Sequence, residues 1–247
     1  MHRFKVLEEN KRIFKETQDY INSYYETETK NLVANTSVYF DGSIHLHDKG
    51  VSQKIEVIKL NSIDAGIKMA KLGFKTAILN FADPITPGGM VLDGETTQEE
   101  SLCRCSNLYD SLNANFCMND YYNYNRTFIS DSDRLIYSPD ALIVRDSGYN
   151  YLEEPVKVDF ISAPAPVVLV ATEQMFIQRI KCIIGAAVHE GVECLILGAW
   201  GTGAFGNDPE MVAEAFKKVI QEYHVIPEIV FAVPGEKFKV FEGVLLS

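Results

Sequence analysis

The sequence predicts an α/β protein, and three observations carry that prediction. Short β-rich runs alternate with segments of helical period from about residue 37 onward. The order strand, loop, helix, strand recurs along the chain. The 247 residues, 47% of them hydrophobic and 11% aromatic, suffice for one large core and exclude disorder as the main state. No Pro/Gly/Ser-rich linker and no internal repeat interrupts them, so residues 1–247 read as a single domain.

The elements follow in order. Leu7, Phe14 and Ile21 fall seven apart, with Phe4, Ile13, Tyr20 and Tyr24 nearby, which predicts an amphipathic helix near 3–25 and makes residues 1–30 an accessory helix on the core. Ser37 to Phe40, Lys54 to Leu60 and Lys75 to Phe81 read as strands. Between the last two, a helix runs from Ser62, its N-cap, to Leu72 and is closed by Gly73. A turn-rich loop over 83–97 leads to a helix starting near Thr97. The tyrosine-rich stretch from Asn113 to Arg126 carries no clear period, and Tyr121 to Tyr124 suit either the rim of a cleft or an accessory layer. Leu135 to Tyr137 and Ala141 to Val144 read as short strands around Pro139, and Val156 to Ser162 as another. Thr172 caps a helix reaching His189, Glu193 to Ala199 is an apolar strand, Asp208, Pro209 and Glu210 open a further helix, and Glu228 to Val233 is a late strand.

Charge narrows the partners. Lys plus Arg is 23 against 34 Asp plus Glu, a net charge of −11, which argues against coating nucleic acid or an anionic membrane surface. The longest apolar stretch, Ile161 to Thr172, holds two prolines and falls short of the roughly 20 residues of a membrane span. The first residues are charged and lack an apolar core, so no secretory signal is expected. Five cysteines, an odd number without framework spacing, predict reduced thiols and a cytoplasmic setting. Cys103 and Cys105 lack a C-x-x-C pattern or flanking histidine. They read as buried small hydrophobes, and no metal is expected.

Two loops carry the chemistry. In Trp200-Gly-Thr-Gly-Ala-Phe-Gly-Asn-Asp-Pro, Gly201, Gly203 and Gly206 let backbone N–H groups converge, with the next helix N-terminus adding its dipole. This suits a phosphate or diphosphate, and Phe205 between glycines suits stacking on a ribose or base. The glycines also fit G-x-G-x-x-G, but the motif lies late and Glu228 precedes the next strand rather than following it, so a dinucleotide fold is disfavoured. The earlier loop runs from Ala82 through Gly88 and Gly89 to Gln98-Glu99-Glu100, the start of a helix. Thr96 with Glu99, or Thr97 with Glu100, satisfies a capping box, which accounts for one acid and not both. Adjacent helical residues point about 100° apart, so one glutamate caps or grips a hydroxyl while the other enters the cleft. A helix N-terminus lowers a carboxyl pKa, so an acid role requires desolvation or a nearby diphosphate to outweigh the dipole.

These residues resemble a known family. Asn80-Phe-Ala, Thr86-Pro-Gly-Gly, Gln98-Glu-Glu-Ser-Leu-Cys-Arg-Cys-Ser-Asn-Leu-Tyr, Ser162-Ala-Pro-Ala-Pro and Leu197-Gly-Ala-Trp-Gly-Thr-Gly-Ala-Phe-Gly-Asn-Asp-Pro together resemble the microbial-type poly(ADP-ribose) glycohydrolases, in register from about Asn80 to Val233. The resemblance implies a macrodomain-like three-layer α/β/α fold with a mixed, mostly parallel sheet and an N-terminal helical extension. It implies hydrolysis of O-glycosidic ADP-ribose linkages without a cofactor or metal, with ADP-ribose or an ADP-ribosylated protein or polymer as partner. Glu100 corresponds to the catalytic acid, Glu99 to the residue orienting ribose hydroxyls, and Asn80 to a ribose-facing strand end. Gly88 and Gly89 correspond to glycines approaching the distal ribose and diphosphate, Gln98 to the first residue of the Q-E-E signature, and Gly201, Thr202, Gly203, Ala204, Phe205 and Gly206 to the diphosphate loop. The third glycine of the signature is Met90 here. A methionine at that point narrows the cleft, changes the linkage accepted or reduces hydrolysis to binding, so an ADP-ribose-binding module is the alternative.

Overall fold

The computed structural model describes residues 2–128 and 132–247. Seven strands form one sheet in the order β1-β4-β5-β3-β6-β7-β2. They are β1 (Ser37–Tyr39), β2 (Lys54–Ile58), β3 (Thr76–Phe81), β4 (Leu135–Arg145), β5 (Tyr151–Ala163), β6 (Cys194–Leu197) and β7 (Glu228–Ala232). The four contacts from β5 through β3, β6 and β7 to β2 are parallel, whereas β1 and β4 join antiparallel at one edge. The mixed, mostly parallel sheet therefore matches the expectation.

Alternation along β3 sorts the core into two layers. Ala77 and Leu79 pack with α8 (Glu173–His189) and α9 (Pro209–Glu222), while Ile78 faces α3 (Ser62–Lys71) and α4 (Gln98–Cys105). Glycine at position 66 is what lets α3 lie this close: a Cβ there would stand 2.3 Å from Ile78 Cδ1. Local signals set the helix ends. Thr172 accepts the Met175 N–H at the start of α8, Asp208 accepts the Glu210 N–H at the start of α9 ahead of Pro209, and Gly73, at φ +94, follows α3.

Several expectations are corrected. Asn61, not Ser62, caps α3 through the Asp64 N–H. The N-terminal extension is two helices, α1 (His2–Tyr24) and α2 (Glu26–Asn35); α2 buries only Thr29 and Leu32, too little to mark a stripe in the sequence. The tyrosine-rich stretch is helical, as α5 (Leu108–Leu112), α6 (Asn115–Cys117), a π-helical turn over Met118–Tyr122 and α7 (Asn123–Phe128), and Tyr121 and Tyr122 are fully buried. The two strands expected around Pro139 are one, because Asp140 takes φ +54 and shifts the register between Ser138 and Ala141 as a bulge. A terminal helix, α10 (Phe238–Leu245), covers the far edge of the sheet. No helix among the described residues is long and apolar enough to cross a membrane.

Candidate active site

A cleft of about 760 Å³ opens where β3, β6 and β7 end, beside the N-termini of α3 and α4. Both glycine-rich loops contribute walls, as a ligand site at the strand C-termini requires.

The first turn of α4 places three successive side chains on three partners. Gln98 is tied to the sheet: its Oε1 accepts the Phe81 N–H at 2.9 Å, and its Nε2 donates to Leu79 O at 2.8 Å and Ser62 Oγ at 3.1 Å. Glu99 Oε1 accepts from Asn80 Nδ2 at 3.1 Å, and its Oε2 accepts the Asp83 N–H at 2.7 Å. Glu100 Oε1 accepts the Met90 N–H at 2.9 Å, and its Oε2 accepts the Thr97 hydroxyl. The capping box is therefore not formed. Thr97 occupies the N-cap position, but its hydroxyl donates to the Glu100 carboxylate and accepts no backbone N–H. Both acids, 2% and 4% exposed, line the cleft. Burial drives the Glu99 carboxyl well above the ordinary carboxylate range; the Asp83 N–H and the Asn80 amide pull it down only in part, and the neighbouring Glu100 adds to the rise. Desolvation thus outweighs the hydrogen bonds that favour the ionised form of Glu99.

Gly89 brings the two carboxyl groups to one point. It has φ +58, and a Cβ there would lie 2.5 Å from Glu100 Oε1 and 3.1 Å from Glu99 Oε2. Gly88, at φ +67, packs away from the cleft: its Cβ would meet the Tyr109 ring at 2.8 Å. Only one of the two glycines therefore forms cleft wall. Met90 sits at φ −102, a conformation any residue adopts, with its half-exposed side chain at the edge of the cleft and its N–H on Glu100. The backbone conformation there does not need glycine.

The second loop is built from β6. Trp200, fully buried, donates its indole N–H to Ala163 O at 3.0 Å and meets Phe176 edge to face. Gly201 has φ +74, and a Cβ on it would strike Ala165 Cβ at 2.5 Å. The Asn207 side-chain amide holds Gly201 O at 2.9 Å and Pro166 O at 2.7 Å, while Gly206, at φ +72, donates its N–H to Gly203 O. Among the described residues the N–H groups of Gly203, Ala204 and Phe205 donate to no protein acceptor, which leaves three donors in a loop that lines the same cleft as the acids. The α9 N-terminus adds less than expected, since the Asp208 carboxylate already caps it and the cleft does not reach it.

Of the residues singled out in the sequence, Gly89, Met90, Gln98, Glu99, Glu100, Gly201, Gly203, Ala204 and Phe205 line the cleft. Asn80, Gly88, Thr202 and Gly206 stand behind it as supports; Asn80 grips Glu99 and Ser162 Oγ, and the Thr202 hydroxyl donates to Ala199 O. Asp83 and Lys237 complete the site without having been singled out. Among the described residues Lys237 is the one cation in a lining that also holds Asp83, Glu95, Glu99 and Glu100, and its Nζ donates to Thr202 O at 2.7 Å. It lies in an unremarkable Glu-Lys-Phe-Lys run, and only the closeness of α10 to the second glycine-rich loop reveals it. A charge-assisted contact contributes about 1.5–3 kcal/mol. Replacing Lys237 with methionine should therefore weaken binding of the ADP-ribose that the sequence resemblance implies at least tenfold by calorimetry and flatten its salt dependence; unchanged affinity would remove Lys237 from the site.

Among the described residues no group of three His, Cys, Asp or Glu side chains is placed to hold a metal ion. All five cysteines are buried, and burial pushes the Cys105, Cys117, Cys182 and Cys194 thiols up to about 12.

Comparison with known proteins relates the chain to one family. The family described as microbial-type PARG, catalytic domain, matches residues 7–146. Among solved structures, the poly(ADP-ribose) glycohydrolase of Thermomonospora curvata is 29% identical, with a TM-score of 0.86 over 96% of this chain and 99% of that one. The same enzyme bound to the inhibitor ADP-HPD is 30% identical with equal coverage and TM-score. The Deinococcus radiodurans enzyme in complex with ADP-ribose is 29% identical, with a TM-score of 0.82 over 88% of this chain and 96% of that one. Curated protein sequences gave no match.

Proposed function

The chain belongs to the microbial-type poly(ADP-ribose) glycohydrolase family, and from that premise we propose that it hydrolyses the O-glycosidic ribose linkage of poly(ADP-ribose), releasing ADP-ribose from the chain end. The observation that carries the reading is the convergence of Glu99 and Glu100 on Gly89 beside a loop with three unused N–H groups.

In this mechanism the diphosphate binds the Gly203–Phe205 N–H groups, with Phe205 against the nucleotide and Lys237 adding charge. Glu99 holds the ribose hydroxyls. Glu100 gives a proton to the departing ribose oxygen as the C1–O bond breaks, and the oxocarbenium-like ribose is stabilised by its own diphosphate. Water then attacks C1 and returns a proton to the Glu100 carboxylate, which restores the acid. Binding without hydrolysis is not favoured, because Met90 keeps an ordinary backbone conformation and delivers its N–H to Glu100.

A net charge of −11 and the absence of a basic stripe in the sequence favour a terminal unit entering a pocket over an internal grip on a long polymer. Buried thiols suit a reducing cytoplasm. Incubation with poly(ADP-ribose) should release free ADP-ribose from the earliest times. Early release of long oligomers would contradict terminal action, and no release from polymer or from ADP-ribosylated protein would contradict hydrolysis.

A further inference from the structure

The inward face of α1 is not purely apolar. Asn10, Ile13, Phe14, Thr17 and Ile21 are all buried on it, and two of the five are polar. A helix that merely covers an apolar wall has no use for an amide or a hydroxyl there, since burying either is unfavourable without a partner. Both have partners: Thr17 Oγ1 accepts from Arg145 Nε of β4 at 2.8 Å, and both side chains donate to one segment. Asn10 Nδ2 donates to Gly94 O at 2.7 Å, and Thr17 Oγ donates to Arg104 O at 2.9 Å.

That segment carries the Gln98-Glu99-Glu100 triplet. Gly94, at φ +82, closes the 3-10 turn Val91–Asp93 that follows Met90, whose N–H holds Glu100. Arg104 lies in the last turn of α4, where carbonyls lack partners within the helix. The helix backbone also lies against Gly94, where a Cβ would stand 2.2 Å from Leu7 O. Between the two anchors the buried Arg104 guanidinium donates to Glu95 O at 2.6 Å and to the Tyr149 hydroxyl at 2.9 Å, closing the segment on itself. From the Thr17 anchor to Glu100 is about one turn of α4, roughly 6 Å along its axis.

We propose that α1 is a brace that sets the catalytic segment, with Asn10 and Thr17 as positioning residues acting through Gly94 and Arg104 on the two glutamates. The inference rests on the assignment of Glu99 and Glu100 to the reaction. Positioning of this kind acts on turnover more than on binding, because a displacement of about 1 Å in a reacting group costs on the order of a hundredfold in rate.

Asn10→Leu and Thr17→Val keep the branching of the side chain and remove the donor; Thr17→Val also takes the acceptor from Arg145 Nε, so Asn10→Leu isolates the brace, and Thr17→Ser keeps both bonds. With poly(ADP-ribose) as substrate, each of the first two should lower kcat about tenfold with KM within twofold, and Thr17→Ser should retain at least half of the wild-type rate. Hydrogen–deuterium exchange should quicken over residues 90–101 and stay unchanged in α9. An unchanged kcat in both donor-less variants, exchange rising evenly along the chain, or failure of both variants to fold would each overturn the brace. If the wild-type protein hydrolyses no ADP-ribosyl linkage, the functional reading falls by itself, and the exchange pattern alone then decides whether α1 holds the segment.

Discussion

Glu100→Gln is expected to lower kcat on poly(ADP-ribose) by about a thousandfold while leaving ADP-ribose affinity within threefold. A general acid contributes roughly a hundred- to ten-thousandfold, and an amide cannot supply the proton. The fold has little reason to change. The glutamine carbonyl still accepts the Met90 N–H, and the Thr97 hydroxyl, now facing an NH2 group, can rotate to accept instead. Chromatography of released ADP-ribose gives the rate and calorimetry gives the affinity. A variant that keeps more than a tenth of the wild-type kcat would move the acid role elsewhere, and Glu99, with its raised pKa and place in the same cleft, would be its first claimant.

Gly89→Ala should be nearly as damaging without removing a functional group. The methyl would stand 2.5 Å from Glu100 Oε1 and 3.1 Å from Glu99 Oε2, so both carboxyl groups must shift. The left-handed backbone at φ +58 adds a penalty of about 1–2 kcal/mol for a residue with a Cβ. We expect a loss of at least a hundredfold in kcat, with circular dichroism unchanged and the melting temperature a few degrees lower. Activity within a fewfold of wild type would show that the acids tolerate displacement and that their convergence at Gly89 is incidental.

What was legible in the sequence is what short spacing encodes. Thr172 and Asp208 cap their helices through N–H groups three and two residues away, and the apolar run of β3 marks a central strand. The adjacent acids, with a capping box able to explain only one, pointed to a cleft. The box itself does not form, because a buried Glu100 draws the Thr97 hydroxyl toward its carboxylate. What stayed hidden depends on partners far along the chain. Asn10 finds Gly94 across 84 residues, Lys237 finds Thr202 across 35, and Glu99 is held by a backbone N–H of a loop that no side-chain pattern reports. Gly88 and Gly89 are indistinguishable as letters; only the neighbours of each, a tyrosine ring for one and two carboxylates for the other, separate a packing role from a functional one.

Trp200 offers a practical return. It is the single tryptophan of the chain, and it sits at the root of the second glycine-rich loop among the residues lining the cleft. Its ring is shielded from water, and its N–H is committed to Ala163, the last residue of β5. Indole emission excited apart from tyrosine therefore comes from one spot, where the end of β5 meets the loop that lines the cleft. The protein carries its own fluorophore for titrations, and no label or engineered reporter is needed to follow occupancy of the cleft in real time.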